Sequence, residues 1–320
     1  MFRHGDGHTG NTRSPPPQEG LPLALTVWSG PAIAGAGIQP AAVAALDEAA
    51  NLLAAHPDSF AETILRRCRA ELFAILGQFD TAETEIGLCW AAGRDGAVPV
   101  VEVACPQAEA RLAAARGDTA AAVGALRRTA DGGRRVASIM FVPAALAGLA
   151  CVAAIAGDQS TAAAAVSEAH AELGGRRQAI TAAALRYAEG VMAWHRGELA
   201  HAEHLVREAT VQWHRCGDRM DASDGVELLG VLAAARERFS DAARLLAAAD
   251  AARRPLQYLA PGFTASRAAA AHTTSQARQV LGDDRFTQAW EKGQELTLDD
   301  AVAYATRKGG RKRRPRADPA

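Results

Sequence analysis

Apolar and polar positions along the chain recur on a beat of forty residues. Five segments align: LFAILGQFDTA, LAAARGDTAAA, VAAIAGDQSTA, MAWHRGELAHA and LAAARERFSDA. The same place in each holds Gly77, Gly117, Gly157, Gly197 and Glu237. Five residues later stand Ala82, Ala122, Ala162, Ala202 and Ala242; five earlier stand Leu72, Leu112, Val152, Met192 and Leu232. The glycine column carries the weight, because alanine is too common here for an alanine column alone to mean much. A helix that ends near the glycine can place it in the left-handed conformation at little steric cost. A short polar turn follows (GDT, GDQS, GEL) and a second helix begins. The small residues on either side let the two helices approach closely, and the apolar position before the glycine faces the core. A second punctuation closes each return helix: AAGRDG, TADGGRR, ELGGRR and HRCGDR.

One helical hairpin cannot bury its apolar face alone, so successive hairpins must stack. The expected fold is all-α: an α-solenoid of about five tetratricopeptide-like (TPR-like) hairpins over residues 60–255, with a 40-residue period. Residues 21–59 read as a degenerate first unit, in which Gly37 and Ala42 keep the beat. Residues 1–20, polar and rich in Pro and Gly, read as a disordered leader. The period is lost over 256–306, where capping helices are expected near 262–281 and 283–292, with a stop at Gly293. A last helix from about 298 would take Thr297 as its N-cap, with Asp299 and Asp300 in its first turn. Residues 307–320 form a basic disordered tail.

Composition supports this picture. Alanine occurs 77 times in 320 residues and aromatics make up 5 %, which favours closely packed helices. The net charge of −1 hides an asymmetry. Residues 307–320 hold seven Lys or Arg and one Asp, which leaves 28 basic against 35 acidic residues in 1–306. The body is therefore no general polyanion binder, and attraction to nucleic acid would come weakly and through Arg311, Lys312, Arg313, Arg314 and Arg316. Cys68, Cys89, Cys105, Cys151 and Cys216 are widely spaced with no C-x-x-C pair, the pattern of reduced thiols in a cytoplasmic protein. The uncharged run 21–46 is interrupted by Pro22, Pro31 and Pro40, and no positive region precedes it, so neither a signal peptide nor a membrane span is expected.

Candidate chemistry is sparse. His195, His201, His204 and His214 cluster in sequence, and His201 and His204 share a helix face, yet no H-E-x-x-H accompanies them; they read as solvated polar-face residues. Glu83, Glu85, Glu102 and Glu109 fall where polar faces are expected, and nothing in the sequence pairs them across the fold as a general acid and base. Trp28, Trp90, Trp194, Trp213 and Trp290 lack basic interleaving and read as core or groove anchors rather than base-stacking platforms. No G-x-S-x-G and no phosphate-binding G-x-x-x-x-G-K-[ST] occurs. The expectation is a non-enzyme with no catalytic residue, cofactor, metal or identifiable small-molecule substrate.

The segment ARLLAAADAARR, followed by ARQVLGDDRFTQAWEKGQELTLDDAVAYATRKGGRKRRP, resembles the end of the helical-repeat region in large actinobacterial LuxR-family transcriptional regulators. The positions that carry the likeness are Leu281, Gly282, Phe286, Ala289, Trp290, Gly293, Leu296, Ala301, Tyr304, Ala305, Lys312 and Pro315, with Gly309 or Gly310 and Arg313 or Arg314. The resemblance is specific for about 70 residues, 240–315; over 60–239 only the generic repeat pattern is shared. It implies a lineage in which an ATPase module precedes the repeats and a helix-turn-helix follows a basic linker. Both are missing from this sequence, which closes on RADPA. The resemblance thus implies a protein that acts through a protein partner or self-association in transcription regulation. Two alternatives are a nucleic-acid-associated accessory protein using 307–316 and a truncated regulator fragment without its own activity.

Overall fold

The computed structural model describes residues 39–254 and 266–306, and every regular element among them is an α-helix. In chain order they are α1 (Gln39–Ala55), α2 (Ser59–Ile75), α3 (Phe79–Asp95), α4 (Val101–Arg116), α5 (Thr119–Arg135), α6 (Phe141–Ile155) and α7 (Gln159–Leu173). Then come α8 (Ala179–His195), α9 (Leu199–Arg215), α10 (Arg219–Ala235), α11 (Phe239–Arg253), α12 (Ser266–Leu281), α13 (Asp283–Gln294) and α14 (Leu298–Thr306). Helices α2 to α11 pair as five antiparallel hairpins that stack into an α-solenoid. The leader 1–20, residues 21–38 of the unit 21–59 with Trp28 and Gly37, and the tail with Arg311, Lys312, Arg313, Arg314 and Arg316 lie outside the described residues.

The turn glycines behave as the steric argument requires. Gly77, Gly117, Gly157 and Gly197 have φ of 73°, 79°, 82° and 76°, and Glu237 takes the same region at 60°. The structure also halves the beat. Ala97, Ala137 and Gly217 have φ of 49°, 53° and 78°, so three of the four turns between hairpins use the same left-handed reversal as those within them; the turn between α7 and α8 uses Gly174 and Gly175 at 51° and 82° instead. The connectors 96–100, 136–140 and 174–178 are longer than the turns within hairpins. Other glycines of the second punctuation do other work. A Cβ on Gly132 would lie 2.0 Å from the Glu102 carbonyl oxygen, so this glycine lets α5 meet the start of α4.

Aspartate completes several reversals. Asp58, Asp118, Asp158 and Asp218 each accept a hydrogen bond at their helix N-terminus, from the amides of Ala61, Ala121, Thr161 and Asp221 at 2.9–3.1 Å. In Gly117–Asp118, Gly157–Asp158 and Gly217–Asp218 the glycine ends one helix and the aspartate caps the next. Hydrogen bonds from Thr161 and Ser160 hold the exposed Asp158 carboxyl down at about 2.

Ala82, Ala122, Ala162, Ala202 and Ala242 are all fully buried at the hairpin crossings, and Leu72, Leu112, Val152, Met192 and Leu232 are buried with them. The segment after the hairpins folds back on them. Helix α13 packs on α11, α12 on α10 and α11, and α14 crosses α9, α10 and α11. Arg207 Nε donates to the Ala305 carbonyl at 2.9 Å, and Tyr304 Oη donates to Asp241 at 2.5 Å under the Arg244 guanidinium. Thr297 caps α14 by accepting from the Asp300 amide at 3.1 Å. The helix ends one residue past the expected stop, at Gln294. Gly293 itself is buried in its last turn, where a Cβ would lie 2.3 Å from the Arg244 carbonyl oxygen, so the glycine also marks a close helix crossing.

The left-handed alanines generate a test. Ala97→Gly and Ala137→Gly should each stabilise the fold, whereas Gly117→Ala, with nothing within 4 Å of its added Cβ, should destabilise it through backbone strain alone. Each effect should be about 1 kcal/mol, read by urea unfolding.

Candidate functional site

Helix α6, FVPAALAGLACVAAI, has no charged residue. A helix apolar all round needs apolar surroundings on every side, and α6 gets them on only some. It packs well against α5, α7 and α8 but barely touches α4. The gap becomes a groove of about 600 Å³ on the face built by the first helix of each hairpin.

The groove has an apolar stretch and a charged end. Phe141, Ala144, Ala147 and Cys151 of α6 line it with Ala179, Ile180 and Ala184 of α8. Met140 and Ile180 stand at the rim with 66 % and 51 % of their surface exposed, an unusual placement for such side chains when not covered. Tyr187 and Trp213 form the floor, ring centroids 5.3 Å apart, and the buried Trp213 indole N–H has no acceptor within hydrogen-bonding distance. Arg111 of α4 and Asp221 and Asp224 of α10 close the charged end.

Asp218, the N-cap of α10, and Asp221, Asp224 and Glu227 recur every three residues, so each lies beside the next along a winding stripe. Arg253 of α11 answers part of this stripe: its Nη2 sits 2.6 Å from Asp224, and it also pairs with Glu227, all three side chains being buried. Burial raises the Asp224 carboxyl to about 6 even so, with Arg253 holding it back. Burial and the neighbouring Asp218 push Asp221 well above the usual carboxylate range, against the pull of Arg111. Asp218 makes the same cap as Asp158, yet burial shifts it upward where the exposed Asp158 is shifted downward.

The sequence-selected residues lie elsewhere, Trp213 excepted. His204 reaches Glu208 at 3.6 Å and His214 reaches Asp299 at 3.7 Å, so the two face different partners. No group of three or more His, Cys, Asp or Glu among the described residues is placed to hold a metal. Each of the four selected glutamates has an arginine on another helix, which the sequence did not suggest. Glu83 pairs with Arg116, Glu85 with Arg66 and Arg69, Glu102 with Arg135 and Glu109 with Arg128. Glu85 is also buried rather than on a polar face. Trp90 donates to Glu109 at 2.9 Å. Cys105 and Cys89 meet thiol to thiol between α3 and α4. No helix among the described residues is long and apolar enough to cross a membrane.

Sequence reasoning missed the groove. Two signals were there: the chargeless run 141–155, and the acidic stripe of α10 written into RMDASDGVELLG, where carboxylates alternate with residues that must be buried.

No protein-family model matches the chain. Over 92 residues it is 36 % identical to proteins named as HTH-type transcriptional regulators in Mycobacterium bovis and Mycobacterium tuberculosis. That match takes in 29 % of this chain, which spans about a tenth of the length of these curated relatives, 10 %. Among solved structures the chain is similar to the Rap protein complexed with competence and sporulation factor, with a TM-score of 0.53 and 12 % identity. The likeness covers 81 % of this chain and 77 % of that one, and it shows a shared helical-repeat fold.

The acidic end predicts a stability trade. A carboxyl whose folded value is raised binds its proton more tightly in the folded state, so its contribution is fully present below about pH 4 and is lost as pH rises. Asp221→Asn should therefore leave stability at pH 4 nearly unchanged and raise it at pH 7 by on the order of 1 kcal/mol. Parallel thermal melts at the two pH values check this; a variant destabilised at pH 7 would contradict it.

Proposed function

We propose that the chain is a non-catalytic regulatory module that recognises a partner in the groove between α4, α6, α8 and α10. The observation that carries this reading is the groove itself: a chargeless helix left uncovered toward α4, its apolar rim in solvent, with strained acids at one end. Such a site costs stability where a plain repeat would close, which is the pattern expected of a surface kept for binding. Stacked repeats suit this role, because each hairpin adds side chains to one extended face.

The finer reading is that the module descends from the sensory or transmission region of LuxR-family regulators. The likeness at 240–315 supports it, as does the partial identity with mycobacterial proteins named as transcriptional regulators. In that role, occupancy of the groove would shift how the hairpins stack, and the shift would reach α14, which is tied to α9 and α11 through Arg207 and Tyr304. The Rap structure, a similar fold complexed with competence and sporulation factor, supports regulation through a bound factor. A cytoplasmic setting follows from this reading.

Groove filling tests the proposal. Ala184→Trp places a large side chain into the space without touching a charged residue. A partner captured by the wild-type chain should be lost on this variant while the melting temperature changes little. Equal capture by both proteins would place the binding surface elsewhere.

A further inference from the structure

Two of the cysteines meet inside the fold. Cys89 of α3 and Cys105 of α4 are both fully buried, and their sulfurs lie 2.8 Å apart. Other sulfur contacts are longer: Cys89 donates to the Thr63 carbonyl at 3.3 Å, and Cys151 donates to the Ala184 carbonyl at 3.2 Å. A disulfide holds its sulfurs about 2.05 Å apart, so a covalent link between Cys89 and Cys105 needs them to approach by less than about 1 Å. Val101 and Ala104 pack around the pair, with Trp90 at its edge. The packing of helices from two different hairpins thus brings together thiols that lie far apart in the sequence.

The same packing sets how fast the pair can react. Hydrogen bonding to Cys89, together with burial, pushes the Cys105 thiol up, and only the thiolate attacks a disulfide. Both residues are also out of contact with solvent. Exchange therefore waits for the joint between α3 and α4 to open, and reclosure then returns the second sulfur to the first. The connector 96–100 at this joint carries Ala97 at a φ of 49°, a conformation that strains alanine and weakens the joint.

We infer that Cys89 and Cys105 form a reversible modification site, where a low-molecular-weight disulfide oxidises them to one intramolecular disulfide that ties the first hairpin to the second. One protein thiolate attacks the small disulfide, forms a mixed disulfide and expels one small thiolate. The other cysteine then attacks the protein sulfur of that mixed disulfide and expels the second. The two protein thiols lose two protons and two electrons, and the small disulfide is reduced to two thiols. The link spans the connector 96–100 and restrains α4, whose Gln107, Ala110 and Arg111 form one wall of the groove. It holds whatever the groove binds.

The reduced full chain, incubated with graded ratios of oxidised to reduced glutathione, acid-quenched, alkylated and cut with trypsin without reduction, tests it. Arg94 lies between the two cysteines, so the linked pair appears as peptides 70–94 and 95–111 joined, and dithiothreitol separates them. Cys68, whose thiol feels the charge of Cys89, is the rival partner. In the folded chain the Cys89–Cys105 link should exceed the Cys68–Cys89 link about tenfold, and in concentrated urea that preference should vanish. The exposed Cys216 serves as the internal control, taking up glutathione in the same sample. Once the link has formed, amide exchange across 96–100 should slow about tenfold. Cys105→Ala should abolish both the joined peptides and the slowing, and the wild-type map decides the inference even if that variant does not fold. Absence of joined peptides while Cys216 is glutathionylated, a dominant Cys68–Cys89 link, the same pairing in urea, or unchanged exchange in the linked chain overturns it.

Discussion

A backbone residue forced to positive φ at intervals of twenty, broken once where Gly174 and Gly175 make the turn between α7 and α8, is the constraint on which the remaining structure depends. Each reversal ends one helix, and in several places an aspartate beside it starts the next. Helix length is thereby fixed near seventeen residues, about 25 Å at 1.5 Å per residue. Helices of equal length stack flush, and alanines at the crossings keep them close. Where the rule slips, the surface changes. Helices α4 and α6 start at Val101 and Phe141, two residues late against the beat. The extra connector residues before α6 include Ile139 and Met140, both heavily exposed and the latter on the groove rim.

Most of the molecule obeys the usual economy of a folded chain. Apolar groups are buried, and the Glu203 carboxylate is held by Arg207, Arg236 and Arg238 between 2.5 and 2.7 Å. The groove departs from it twice over. Apolar side chains face solvent at its rim, and carboxylates are taken out of water at its end. One departure alone is common on protein surfaces. Their coincidence, next to an unmatched indole donor, is what separates this site from the other indentations between helices.

How much of this was readable beforehand depended on whether geometry demanded a residue type. The left-handed turns at Gly77, Gly117, Gly157 and Gly197 were legible because positive φ favours glycine strongly, and the crossing alanines were legible because they share the same period. The turns near 97 and 137 were marked by the punctuation AAGRDG and TADGGRR, but that Ala97 and Ala137 would take the positive φ was not legible, since alanine there pays a strain that leaves no mark on the pattern. Gly293 was legible only in part: it stands in the last turn of its helix as expected, but its close approach to the Arg244 backbone depends on another helix. The α14 cap at Thr297 was legible because its chemistry is local. The groove was not, because the gap between α4 and α6 arises from how whole helices stack. The tryptophans could be assigned to core or groove, yet nothing local said that Trp213 would floor the site. The acidic stripe of α10 was visible in the letters, but its meaning depended on α4 and α11 supplying one arginine each.

Hydrogen exchange resolved along the intact chain tests the central claim most directly, because it reads the twenty-residue reversal without any ligand. The account predicts slow exchange within each helix from α2 to α11, broken by fast-exchanging amides near residues 77, 97, 117, 137, 157, 197, 217 and 237. Uninterrupted protection across 97 or 137, where alanine takes the positive φ, would contradict it.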